Sequence, residues 1–172
     1  MSGGRNAGVA LLGLAAVLFT VAVVSGWNGA RNFSGRETAA RDIEAAATAF
    51  VVAYGTFDFR DAGTYPTRLG ALSTGPLRDA LRHAVVDQGA ARQQRSVVTR
   101  VEAASVTSFS DTGATAVVTS VQERRWVDPV VGQSMQQAVR QRVTCRLVRE
   151  DGTWLVAELW LESEEPARWE AR

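Results

Sequence analysis

Few side chains in this chain have the type and spacing that chemistry needs. There is one histidine, His83, beside Arg82 toward the end of a helical segment, where an imidazolium would suit a helix C-terminus better than a catalytic site. Asp58 and Asp61 flank Phe59 in a turn-like stretch, and acids in turns usually accept from nearby backbone amides. Tyr54 and Tyr65 could line a cavity, although Tyr54 fits a helical core stripe equally well. The single cysteine, Cys145, alternates with Val143 and Leu147 and reads as a small buried hydrophobe. General acid–base work needs a titratable group whose pKa its surroundings bring near 7, and none is set up here. No serine has a histidine–acid context, no Gly-rich loop opens a helix, and one Cys with one His cannot form a clustered metal site or an internal disulfide. The expectation is no enzyme activity, no cofactor and no metal.

The residues better suited to binding are arginines. Arg140, Arg142 and Arg146 alternate along one strand-like stretch, and Arg124-Arg125-Trp126 stands on the stretch before it. Arg and Trp are enriched at binding hot spots, so these six form the candidate partner-docking face, against the plainer reading of a solvated sheet surface. A second candidate is a cavity enclosed by Trp154, Trp160 and helix aromatics, which also reads as ordinary packing.

These groups must be positioned by elements, and the first element concerns location. Ala7 to Gly26 is an apolar run without charge, followed by Trp27. About twenty residues at 1.5 Å rise span roughly 30 Å, the thickness of a bilayer's hydrocarbon, and an aromatic ring suits its interface. Residues 1–6 are read as a short tail, 7–27 as a transmembrane helix and 28–34 as a connector. Val24-Ser25-Gly26 also suits signal peptidase, but a signal's apolar core is about 7–15 residues long and more basic before it. Gly8, Gly13 and Ala16 are small, yet no GxxxG lies within residues 7–27 to favour helix dimerisation. Arg5 precedes the span, while Arg31, Arg36 and Arg41 follow it, so charge alone leaves the orientation open.

The remaining residues suit one domain, 35–161, with a charged tail at 162–172. All basic residues are arginine, and the formal net charge is +1, too even to recruit nucleic acid. Ser34 and Glu37 have capping-box spacing, and Ile43, Ala47, Phe50 and Tyr54 then form a helical stripe to about Gly55. Tyr65-Pro66 opens a short helix through Leu72. Ser73-Thr74-Gly75-Pro76 caps a third, with Leu77, Leu81, Ala84 and Val85 on one side. The period then becomes two, giving strands at 96–109, 114–126, 136–149 and 154–161. Turns fall at Ser110–Gly113 and Glu150–Thr153, with a longer connection from Val127 to Met135. Val139, Val143, Cys145 and Leu147 face one way and Arg140, Arg142, Thr144 and Arg146 the other, while Trp154, Val156, Glu158 and Trp160 are expected to share a face. The fold class is α+β, three helices segregated to one face of a curved four-stranded antiparallel sheet.

That order resembles the cone of the nuclear transport factor 2-like (ketosteroid isomerase-like, SnoaL) superfamily. More narrowly, Ala53-Tyr54-Gly55-Thr56-Phe57-Asp58-Phe59-Arg60-Asp61, Leu72-Ser73-Thr74-Gly75-Pro76-Leu77-Arg78 and the ending Arg149-Glu150-Asp151-Gly152-Thr153-Trp154-Leu155-Val156 are similar to stretches of actinobacterial Mce-associated membrane proteins. Periplasmic-type subunits of type IV secretion and conjugation channels share the plan. The resemblance implies a single-pass protein of the cell (inner) membrane with a cytoplasmic N-terminus and an extracytoplasmic domain. It also implies a non-catalytic accessory or assembly subunit of a bacterial envelope transport or secretion complex. Its partners would be the lipid bilayer and envelope proteins or further copies of itself. The alternative is a membrane-tethered cone that binds a small ligand or acts as an enzyme.

Overall fold

The structure is a computed structural model that describes residues 35–84 and 88–168. The predicted tail, membrane span and connector, Ser34 of the capping box and Val85 lie outside the described residues. Among the described residues, no helix is long and apolar enough to cross a membrane. The chain divides into two compact units, Met1–Ala39 and Ala40–Arg172. Residues 35–39 of the first are helical, and the second contains the fold and the candidate site.

The second unit opens with helix α1, over residues 40–55. Its stripe is realised as expected, with Ile43, Ala47 and Phe50 fully buried. Tyr54 continues the stripe, stacked on Phe50 at 6.0 Å, but stays largely exposed because the sheet beneath it recedes into a cleft. Strand β1 (Phe57–Asp58) and a 3-10 turn (Phe59–Asp61) lead to α2 (Tyr65–Ala71), which carries proline in its first turn. Gly75 takes φ +57°, a left-handed turn that glycine adopts without strain, and α3 (Gly75–His83) follows. Leu77 and Leu81 pack against the core, whereas Ala84, expected beside them, is exposed because α3 has ended at His83. A short helix not anticipated from periodicity, α4 (Gln88–Arg92), is only five residues long, too short for a 3.6-residue period to register.

Four long strands then run antiparallel: β2 (Ser96–Phe109), β3 (Gly113–Val127), β4 (Ser134–Glu150) and β5 (Thr153–Pro166). With β1 they form a five-stranded curled sheet in the order β1-β2-β3-β4-β5, one strand more than expected. The extra strand is two residues long and pairs Phe57 with Val97 and Asp58 with Ser96. The β4–β5 turn has the expected Asp-Gly geometry, with Asp151 at φ 49° and Gly152 at φ 83°. Alternation puts Ala114, Ala116 and Val118 of β3 and Val143, Cys145 and Leu147 of β4 under α1, forming one core with Trp154 and Val156.

Two expectations about β5 require correction. Glu162 to Pro166, read as the start of a charged tail, continue the strand, with Ser163 opposite Arg142 and Pro166 opposite Val139. Their carboxylates pair with arginines on neighbouring strands, so a charged sequence can remain in a sheet. Trp154, Val156, Glu158 and Trp160 also do not share a face. The register slips between the Leu147–Val156 and Arg146–Glu158 pairs, leaving Ala157 as an extra bulge residue. Trp154 and Val156 therefore face the helices, while Glu158 and Trp160 lie opposite Arg146 and Thr144 on the outer face.

The outer edge of β5 is partly closed by the α2–α3 connection. Val156 N–H donates to Leu72 O at 3.0 Å, and Thr74 N–H donates to Val156 O at 2.9 Å. Thr74 provides no side-chain cap to α3, because its hydroxyl donates to Glu150 instead. Arg78 completes this latch, with Nε donating to Ser73 O at 2.6 Å and its guanidinium 3.3 Å from Glu150.

Candidate functional site

The outer face of the sheet holds part of the predicted docking set. Arg125, Arg140, Arg142 and Arg146 lie there together, since β3 and β4 pair in unbroken register. Arg124 and Trp126 do not, because neighbours along a strand point to opposite faces. Arg124 turns toward the helices, where it lines the cleft with Gln122 and Gln141.

The arginines of this set are each paired. Arg140 meets Glu102 at 2.9 Å, Arg142 meets Glu162 at 2.8 Å, and Arg146 pairs with Glu158. Arg125 pairs with the buried Glu123, which also accepts from Gln136 at 2.7 Å. Glu102 and Glu162 occupy bulges in β2 and β5, so the residue that breaks each register carries the carboxylate that meets β4. Hydrogen bonds from Thr144 and Arg142 hold the Glu162 carboxyl below its ordinary pKa. The outer face is thus a mixed-charge lattice rather than a basic patch, with Trp160 47% exposed among its pairs.

On the helix side, an open cleft of about 490 Å³ lies between α1, α2, α3 and the sheet. Tyr54, Phe57 and Tyr65 form its aromatic wall, Phe57 meeting Tyr65 edge-on at 5.4 Å. Neither Trp154 nor Trp160 lines it: Trp154 is in the core and Trp160 is on the outer face. Gly55 sits where the helix end meets the sheet. A Cβ there would lie 2.3 Å from Thr99 Oγ1 and 2.6 Å from Gln122 Nε2. Thr99 Oγ1 and Ser120 Oγ are buried beneath the helices without a hydrogen-bond partner.

The polar side of the cleft is a bonded set. Arg124 clasps Glu164 with both nitrogens, at 3.1 and 2.8 Å, and also donates to Gln122 Oε1 at 3.0 Å. Gln141 donates to the same carboxylate. Arg124 first, and then Gln141, keep the Glu164 carboxyl below its usual range. The Tyr65 hydroxyl donates to Tyr54 O, and burial, followed by Tyr54, pushes its pKa up to about 12. Tyr65 is therefore a fixed hydrogen-bond donor rather than a base. Among the described residues lining the cleft there is no Asp, Glu, His or Cys.

The other candidates from the sequence have local roles. Asp58 accepts from Arg60 N–H and Asp61 from the Thr64 hydroxyl, both at 2.8 Å. His83 Nδ1 lies 2.7 Å from Asp79 O at the exposed end of α3. Cys145 is buried, and burial pushes its pKa up to about 12. Among the described residues, no cluster of His, Cys, Asp or Glu could hold a metal ion. Sequence reading missed Gln122, Gln141 and Glu164, since isolated glutamines and an acid in an apparent tail carry no local signal.

No protein-family model matches the sequence, and no curated protein matches it. Among solved structures, the fold is similar to that of VirB8 of Agrobacterium tumefaciens: 11% identity, TM-score 0.55, covering 74% of this chain and 94% of that one. It is also similar to an IcmL-like type IV secretion system protein of Legionella pneumophila: 12% identity, TM-score 0.51, covering 75% and 94%. At these identities the likeness is one of fold, and the helices and curled sheet fit a nuclear transport factor 2-like cone.

Proposed function

We propose that this chain is a non-catalytic, membrane-anchored accessory or assembly subunit of a bacterial envelope transport or secretion complex. The observation that carries this reading is the cleft, whose described lining offers no acid–base pair and no nucleophile. Likeness of fold to VirB8 and to the IcmL-like protein supports a place in a secretion or conjugation assembly. The motifs around Tyr54, Pro76 and Trp154 favour the Mce-associated type within that class. Anchorage by residues 7–27, with the domain on the extracytoplasmic side, belongs to the same proposal.

Partner docking falls on the outer face, where Trp160 stands among the pairs of Arg142 and Arg146. An exposed Trp framed by paired charges gives a partner an apolar anchor and a polar rim. The test is chemical crosslinking in intact membranes, followed by affinity purification of the tagged full chain. Enrichment of other envelope-complex subunits is expected, with loss of those partners in Trp160→Asp at unchanged abundance. Recovery of the chain alone from crosslinked membranes overturns the assembly reading.

A further inference from the structure

The sheet ends at β5 on an edge that is only partly closed. Odd-numbered residues of β4 turn their backbone toward β3 and the turn before it, as Arg149 N–H does in donating to Thr112 O. Even-numbered ones turn toward β5 and its end, as Ala138 O does in accepting from Ala167 N–H. Leu159 and Leu161 lie opposite Cys145 and Val143, so both, like Val156, turn N–H and C=O away from the sheet. Val156 is met there by Leu72 and Thr74, through a single parallel bridge at Ser73, so this edge already takes a backbone partner. Leu159 and Leu161 have no such partner among the described residues. Pro166, opposite Val139, ends the open stretch, because it has no N–H to offer. Trp160 on the outer face and Leu161 on the helix side, 47% and 56% exposed, flank the open groups.

We propose that the edge of β5 from Leu159 to Glu164 docks an extended segment of a partner protein by strand addition. The segment is apolar beside Leu159–Leu161 and basic beside Glu162–Glu165. Main-chain bonds to Leu159 and Leu161 supply affinity, and the side chains on either side supply selectivity. The open stretch is about as long as an ordinary strand. Charge chooses the occupant. From Glu158 to Glu165 the strand holds four glutamates and no basic residue. Glu158, Glu162 and Glu164 pair with arginines of β4 and β3, yet their side chains stay 41%, 41% and 35% exposed at the margin of the sheet. A second copy pairing through the same edge sets glutamate beside glutamate, and like charges across a ladder are destabilising. A basic segment meets no such repulsion, and each carboxylate has about four lone-pair sites, enough for a further donor. The partner belongs to the assembly proposed above, and strand addition names how it is held.

The test uses the full chain in zwitterionic lipid nanodiscs and fluorescein-labelled peptides of alternating valine and threonine. Two arginines stand at one end or the other, which covers both strand directions. Fluorescence polarisation, with empty nanodiscs subtracted, should give saturable binding at one site per chain for at least one peptide. Hydrogen exchange read by mass spectrometry should slow over Leu159–Leu161 when that peptide is bound. N-methylation of every valine and threonine removes the peptide's donors and should weaken binding about tenfold or more. Glutamates in place of the arginines should lose about as much. Leu161→Pro removes an outward N–H while leaving the β4 ladder intact, and it should weaken binding about tenfold; circular dichroism confirms that the variant is folded. Absence of saturable binding, unchanged affinity for the N-methylated or glutamate peptide, binding without protection of Leu159–Leu161, or wild-type affinity in folded Leu161→Pro each overturns the proposal. Disulfide crosslinking of Leu161→Cys chains to one another would place a second copy on this edge and overturn it as well. None of these outcomes bears on whether the chain joins an envelope assembly, which the crosslinking experiment in membranes decides separately.

Discussion

Cys145 lies opposite Ala116 in the β3–β4 ladder and is fully buried with Val143 and Leu147 in the same core. Burial disfavours its thiolate and pushes the pKa up to about 12, so the thiol is neutral at any physiological pH. Iodoacetamide at pH 8 should leave Cys145 unmodified in the folded chain and alkylate it once guanidinium unfolds the domain; mass spectrometry reads both states. Rapid alkylation of the native protein would contradict this burial. Gly55 is constrained differently, by close approach rather than by an unusual φ. Adding a methyl group forces Thr99 or Gln122 away from the end of α1. Gly55→Ala should therefore destabilise the domain by about 1–3 kcal/mol, as overpacking usually does, despite alanine's better helix propensity. A lowered melting temperature is the readout.

Elements hold these residues through devices that act at strand ends and edges. Gly152 sits at φ 83° in the β4–β5 turn, and a β-branched residue there strains the turn that sets the register. Gly152→Val should cost about 1–2 kcal/mol, seen as a shift in the urea midpoint with unchanged slope. The C-terminal half of β5 is held through Glu164, whose bonds to Arg124 and Gln141 require the carboxylate form. Its folded pKa is depressed, so its stabilisation is present above the unfolded carboxyl range and is lost as pH falls through the folded value. Melting temperature should fall on acidification below about pH 4.5, and Glu164→Gln should flatten that limb. An identical acid limb in the variant would show that the Arg124–Glu164 clasp contributes nothing. The bulges at Glu102 and Glu162 belong to this scale as well. Each leaves an extra acid facing β4, and each converts an outer arginine from a free charge into a pair.

For the whole molecule, the assembly reading places the cone outside the cytoplasmic membrane on an N-terminal anchor. Protease added to intact spheroplasts should digest residues 40–160 and leave a membrane-embedded N-terminal fragment; protection of the domain reverses the topology. Much of the architecture was legible before any coordinate. The stripe Ile43-Ala47-Phe50, the Pro-led helix starts, the Asp-Gly turn and the alternation of β4 are local signals, and local physical chemistry carries them through to the fold. The core face of β4 follows directly, since a period of two leaves no other way to bury Val143, Cys145 and Leu147. Bulges escape such reading: one extra residue at Ala157 puts Trp160 on the face opposite Trp154, and no local composition announces it. Pairing across strands escapes it too. Arg124 and Glu164 are forty positions apart, and only the closed register of β3, β4 and β5 brings them to one cleft while sending Arg125 to the other face. The sequence by itself determined the order of the main helices and the four long strands and the buried face of β4, because these depend on periodicity. Which arginines are paired, which face each takes and where the cleft opens were decided by the tertiary structure alone, because pairing across strands is a property of residues distant in the chain.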